Sequence, residues 1–139
     1  MASSNMQSVD NQSPDIMRLK TRPQFLFVRN GKTERRRAVV TQARRRLDQD
    51  RRIGVGFTTT KKIGNAVVRN RAKRRLRAAS EQLLVSFGCE GVDYVFIARL
   101  ETATIKWQRL LDDMESALIS LRNQFPSPSD PIDPLFLKD

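Results

Sequence analysis

Sixty residues, Arg18 to Arg77, hold 21 of the 26 Lys and Arg side chains of this 139-residue chain against three acids, Glu34, Asp48 and Asp50, a formal charge of +18. The other residues carry five basic and twelve acidic side chains and sum to −7. So much like charge can fold only if the cationic groups stay at the surface while the apolar residues between them gather on separate faces. It also points to a polyanionic partner, because phosphate contacts gain affinity by releasing condensed counterions. Nucleic acid is the first partner to consider.

At 139 residues and 39% hydrophobic, the chain can build one core and has little room for two. It has no run of about 18 apolar residues, and residues 1–17 lack the apolar stretch of a secretory signal, so the expected location is the cytoplasm, away from membranes. With Cys89 as its one cysteine and no histidine, the chain cannot form an internal disulfide or the ordinary Cys/His zinc sites. Cys89 reads as a passive small residue. Residues 1–17, rich in Ser, Asn and Gln, are expected to form a disordered tail. Residues 123–139 combine Pro126, Pro128, Pro131 and Pro134 with Asp130, Asp133 and Asp139, which predicts an extended acidic tail. Leu135, Phe136 and Leu137 within it could dock or stay disordered. The folded domain is expected over residues 18–122.

Inside that domain, helix-like and strand-like patterns alternate. Pro23 near the start, Phe25, Leu26 and Val28 within, and Asn30-Gly31 after predict a short helix over Arg22 to Arg29. Ala38 to Ala43 reads as a strand, as does Ile53 to Thr58, where Ile53, Val55 and Phe57 alternate with Gly54, Gly56 and Thr58. Two glycines weaken a strand unless something must approach its backbone closely, whether a ligand or a helix packed on that face. From Asn65 to about Phe87, Val68, Ala72, Leu76, Ala79 and Leu83 recur at helical spacing, with Asn65 suited to the N-cap and Gly88 to the stop. Tyr94 to Ala98 is a continuous apolar run, short enough for a buried central strand. Trp107, Leu110, Leu111, Met114, Ala117, Leu118 and Leu121 trace a last helix, opened by Thr102 or Thr104. The class is α+β, an α/β sandwich in which helices pack on a sheet.

A cationic helix face is commonly just solvated surface. Lys61 to Arg77, however, holds eight basic residues and no acid, so no ion pair within the helix relieves the repulsion. Arginine predominates there, which suits forked hydrogen bonding to phosphates and stacking on bases. On a helix Arg69 and Arg75 flank the apolar stripe, while Asn70, Arg71, Lys73, Arg74 and Arg77 project away from it.

The run from Thr60 through Lys61, Lys62, Ile63, Gly64, Asn65, Ala66, Val67, Val68, Arg69, Asn70 and Arg71 to Arg77 closely resembles the signature of the bacterial ribonuclease P protein subunit. That signature is an Arg-Asn-Arg helix following a Lys-Lys-x-Gly-x-Ala-Val loop. Arg18-Leu19-Lys20, Gln24-Phe25, the Ile53 to Thr58 strand and Asp93 to Arg99 also fit, so the resemblance covers about Arg18 to Leu121. It implies a small mixed four-stranded sheet with about three helices in the order α-β-β-β-α-β-α, and a left-handed β-α-β crossover against the usual hand.

It further implies a non-catalytic subunit bound to a large catalytic RNA, the complex being the endoribonuclease that removes the 5′ leader from precursor tRNA. RNA-subunit contacts would fall on Lys61, Lys62, Arg69, Asn70, Arg71, Lys73, Arg74 and Arg77. A cleft between the first helix and the open sheet face would hold the single-stranded leader through Phe25, Arg29, Arg37, Gln42, Gly54, Gly56 and Thr58. Stacking on an aromatic, with nearby arginines following the backbone, is a sequence-tolerant way to grip a single strand. Arg29 and Gln42 stand where many relatives carry aromatics, which shifts the expected grip toward charge and hydrogen bonds. From its position alone, Phe25 fits either the cleft or the core.

No catalytic residue and no protein-bound metal are expected. A protein nuclease needs acid/base groups or clustered carboxylates, and the basic region offers only three loop acids. Asp112, Asp113 and Glu115 sit on the last helix, where Asp112 and Glu115 read as surface. The Mg²⁺ ions would belong to the RNA subunit. The partners expected are that catalytic RNA and the precursor tRNA, with no membrane and no obligate protein partner. A structural RNA-binding protein of ribosomal type is the alternative, sharing charge and fold class and differing in partner. A helix-turn-helix DNA reader would need a helix packed just before Asn65, where the pattern reads as strand.

Overall fold

The computed structural model describes residues 15–125. The expected tails therefore lie largely outside the described residues, the Leu135 to Leu137 segment entirely so. In chain order the elements are β1 (Ile16–Arg18), α1 (Arg22–Arg29), β2 (Lys32–Arg35), β3 (Val39–Arg45), β4 (Ile53–Thr58), a 3-10 turn (Lys61–Ile63), α2 (Ala66–Phe87), β5 (Val92–Ala98) and α3 (Trp107–Arg122).

One sheet unites the strands in the order β1-β4-β5-β3-β2. β1 and β5 run parallel to β4, whereas β3 is antiparallel to β5 and β2 antiparallel to β3. The sheet has five strands rather than the four expected. The addition is β1, whose Ile16 and Met17 composition assigned to the tail. A three-residue strand is too short to show a period, and its support is non-local: Ile53 N–H donates to Asp15 O at 2.8 Å and Leu19 N–H to Val55 O at 2.9 Å.

Alternation along the strands splits the apolar residues between two cores. The larger lies between the sheet and helices α2 and α3. Ile53, Val55 and Phe57 of β4 and Val92, Tyr94 and Phe96 of β5 meet Leu76 and Leu83 of α2 and Leu110, Met114 and Leu118 of α3 there. The smaller, on the opposite face under α1, gathers Leu19, Val28 and Val95, with Met17, Phe25, Phe27 and Ile97 packed against it. β5 is covered on both faces, which is why Tyr94 to Ala98 is apolar at every position.

Helix α2 starts where its sequence says it should. Asn65 Oδ1 accepts from Val68 N–H at 3.0 Å, and Gly64 before it has φ +147°, a backbone region that only glycine occupies readily. The start of α3 differs from expectation. Its first residue is Trp107, Lys106 precedes it, and no side chain caps it. Thr102 is instead buried: its hydroxyl accepts from Arg99 N–H at 2.7 Å and donates to Ala38 O at 2.6 Å. Asp113 on α3 takes Ala38 N–H at 2.9 Å, so both polar backbone groups of Ala38 are held by distant side chains. That anchors the β2–β3 connection to α3.

Candidate nucleic-acid interfaces

The residues singled out for the catalytic RNA lie along α2 and the turn before it. Lys61, Lys62, Asn70, Arg71 and Arg74 are exposed, and Arg69, Lys73 and Arg77 are half-buried. At about 100° per residue, Arg69, Lys73 and Arg77 climb one flank of α2, Asn70 and Arg74 crown it, and Arg71 falls on the other flank. Among the described residues, the side chains of Lys61, Lys62, Asn70, Arg71, Lys73 and Arg74 make no hydrogen bond or ion pair. Arg69 is tied locally, donating to Gly64 O at 2.8 Å, which fastens the glycine turn to the first turn of the helix. Arg75 serves the fold: it donates to Thr102 O and Ile105 O and lies 5.8 Å from the Trp107 ring centroid. Burial, with Arg71 nearby, lowers its pKa from the ordinary value.

On the α1 face, register sorts the leader-cleft candidates into cross-strand rows. Gly54 lies beside Asp93, Gly56 beside Val95 and then Gln42, and Thr58 beside Ile97 and then Val40. The room above the two glycines is filled by the protein itself. A Cβ at Gly54 would collide with Asp93 Oδ1 and stand 2.9 Å from Leu19 Cδ2, and one at Gly56 would stand 2.6 Å from Phe25 Cε1. Both glycines are buried, so of the two openings the sequence left, packed protein occupies this one. Phe25, half-buried, places its ring atoms Cε1 and Cζ over Gly56.

Beyond Phe25 the face is more open. Thr58, Ile97 and Gln42 are half-buried, and Arg29, four residues after Phe25 and on the same side of α1, is exposed. Arg35 of β2 stands opposite Val40 and so ends the Thr58 row with an exposed guanidinium. Arg35 was missed by the sequence reading, because only the β2–β3 register puts it there. Arg37 is not gathered with the rest; it is exposed and pairs with Glu101 at 2.9 Å. Phe27 is held under Arg44, whose guanidinium carbon lies 4.3 Å from the ring centroid.

The buried acids are held by the fold. Asp93 is buried on β5, where desolvation raises its pKa while Arg46, ion-paired with it, works the other way. Arg46 also donates to Asp50 O and Arg52 O, tying the β3–β4 loop to the sheet. A hydrogen bond from Arg52 holds Asp50 well below the usual carboxylate range. Asp113, buried beside Ala38, accepts from Arg109 at 3.1 Å. Among the described residues no group of three or more His, Cys, Asp or Glu side chains is placed to hold a metal ion. Cys89 N–H donates to the Tyr94 hydroxyl at 3.0 Å, and burial raises the pKa of that tyrosine.

Comparison with known proteins yields one family. The family model described as Ribonuclease P matches residues 14–122. A ribonuclease P protein component from Caulobacter vibrioides is 54% identical over 104 residues, covering 75% of this chain and 70% of the relative. One from Ruegeria pomeroyi is 42% identical over 116 residues, covering 82% and 93%. Among solved structures, the RNase P protein of Staphylococcus aureus superposes with a TM-score of 0.63 at 25% identity, covering 75% of this chain and 94% of that one. For the RNase P protein from Thermotoga maritima the TM-score is 0.64 at 24% identity, with 75% and 96% covered, a likeness of fold.

Proposed function

The chain belongs to the ribonuclease P protein family, and from that premise we propose how this RNA-binding subunit divides its surface between two RNAs. The catalytic RNA takes the α2 band: Lys61, Lys62, Asn70, Arg71, Lys73 and Arg74 meet phosphates, with Arg69 and Arg77 on the near flank. The observation that carries this reading is a run of basic side chains at the surface without acidic partners among the described residues. Such a run is costly to the free protein and is relieved by an anionic surface. Membership of the family sets aside the alternative of a ribosomal-type protein.

The second surface is the strip beside α1, on the opposite face of the sheet, where the single-stranded 5′ leader of precursor tRNA runs past Phe25, Arg29, Gln42, Thr58 and Arg35. Phe25 offers the edge of its ring, Gln42 and Thr58 offer hydrogen bonds, and the two arginines follow the backbone. Gly54 and Gly56 act indirectly, by letting Asp93 and Phe25 sit where they do. Hydrolysis is left to the RNA subunit and its Mg²⁺ in this reading, which is supported by the engagement of the buried carboxylates with Arg46, Arg109 and Ala38 N–H. The protein contributes affinity for the leader, which mature tRNA lacks, and relieves repulsion between two polyanions. No helix among the described residues is long and apolar enough to cross a membrane, and the reading puts the complex in the cytoplasm.

The experiment adds purified protein to a bacterial ribonuclease P RNA and a precursor tRNA at magnesium too low for the RNA alone. Cleavage at the mature 5′ end should appear with protein present. No stimulation would sink the reading, and cleavage by the protein without the RNA would put the chemistry in the wrong molecule.

A further inference from the structure

At the edge of the sheet beside α2, Arg77 of the α2 band meets Arg18 of β1, an arginine that the band does not include. Arg18 pairs across from Val55, so it projects toward the α2 face, and its guanidinium carbon lies 5.2 Å from the Phe57 ring centroid. Arg77 reaches the same ring from α2, at 5.8 Å. Neither makes an ion pair among the described residues. A cavity of about 160 Å³ opens at this point, lined by Arg18, Phe57, Arg77, Ser80, Glu81 and Leu84. Glu81 stands there exposed and pairs with neither arginine.

Two features suit the cavity to an anionic ligand. Each guanidinium rests against an aromatic ring, which restrains its plane while leaving in-plane N–H groups to donate. The Nε–H of Arg77 is buried and has no acceptor anywhere in the described structure. Buried donors are nearly always paired, so this orphan leaves the Arg77 guanidinium with unspent hydrogen-bonding capacity at a residue that lines the cavity. A tetrahedral oxyanion meets both needs, since it can accept from two forks at once.

We propose that Arg18 and Arg77 clamp one backbone phosphate of the RNA subunit across the ring of Phe57, so that the RNA-subunit surface extends from α2 onto edge strand β1. The ligand is assigned to the RNA subunit because Arg77 continues the Arg69–Lys73 flank, on the face of the sheet away from α1. This rests on the α2 reading above, and the test separates the two.

Affinity of the full chain for the RNA subunit is measured against salt concentration for the wild type, Arg18→Ala, Arg77→Ala, the double variant and Arg74→Ala, with unfolding midpoints as a fold control. Arg18→Ala should weaken binding roughly tenfold and reduce the salt slope by about one unit. The double variant should lose less than the product of the single losses, because both residues serve one phosphate. If Arg74→Ala weakens binding but Arg18→Ala changes only the unfolding midpoint, the clamp is refuted and Arg18 is a fold residue. Losses that simply multiply would also overturn it, and so would an Arg18→Ala defect seen only with leader-bearing precursor tRNA. No effect of Arg74→Ala would strike the α2 reading itself.

Discussion

Asp93 shows how much of the sheet face under α1 is decided by single residues. Its carboxylate is buried, and two devices make that tolerable: Arg46 pairs with it, and Gly54 on the neighbouring strand leaves room for it. Breaking a buried pair from one side is expensive, because the surviving charge stays desolvated. Gly54 is therefore a packing requirement set by a charge. Gly54→Ala should destabilise the protein by about 1–3 kcal/mol, the usual cost of overpacking, because its Cβ meets the carboxylate and Leu19 together. Urea unfolding checks this, and a stability equal to wild type would mean that Asp93 can move aside. Gly56 plays the same part for Phe25, whose ring atoms could not come so close to the strand over any larger residue.

Among the elements, α2 bears the most directly on the proposed RNA-subunit surface. Its own charges oppose it, so its stability comes from the apolar stripe against the sheet and from its first turn, where Gly64, Asn65 and Arg69 form a fastened unit. Asn65→Ala should cost about 1 kcal/mol in unfolding free energy, as loss of an N-cap does. A change within error would show that Arg69 alone holds the turn. This helix, α1 and β4 were legible in the sequence because each carries a full period of apolar residues between clear stop signals. β1 was not, since three residues have no period and their partner lies more than thirty positions away. The start of α3 was misread for a related reason. Thr102 resembles a cap by type, but its hydroxyl is committed to Ala38, a contact with no local signature. At the candidate sites, residue types could be read directly, whereas their sharing of a face could not. Arg35 joins the Thr58 row, and Arg37 leaves it for Glu101, through register and packing alone.

For the whole molecule, the account is one of separation. A five-stranded sheet with two helices on one face and one short helix on the other presents two cationic regions. The +18 segment contributes to both. Because the sheet stands between them, a change in one region should leave the other's ligand nearly untouched, as expected for sites without shared contacts. Exposed Arg74 and exposed Arg29 represent the two regions well, since neither side chain makes a hydrogen bond or ion pair among the described residues. The direct measurement compares Arg74→Ala and Arg29→Ala for two quantities: affinity for the RNA subunit, and the holoenzyme's preference for precursor over mature tRNA. Arg74→Ala should weaken RNA-subunit binding by about 1–3 kcal/mol, with a shallower salt dependence and an unchanged preference, and Arg29→Ala should lower the preference while sparing RNA-subunit binding. If both variants weaken both quantities by the same factor, the protein has one diffuse RNA surface, and the two-surface account is wrong.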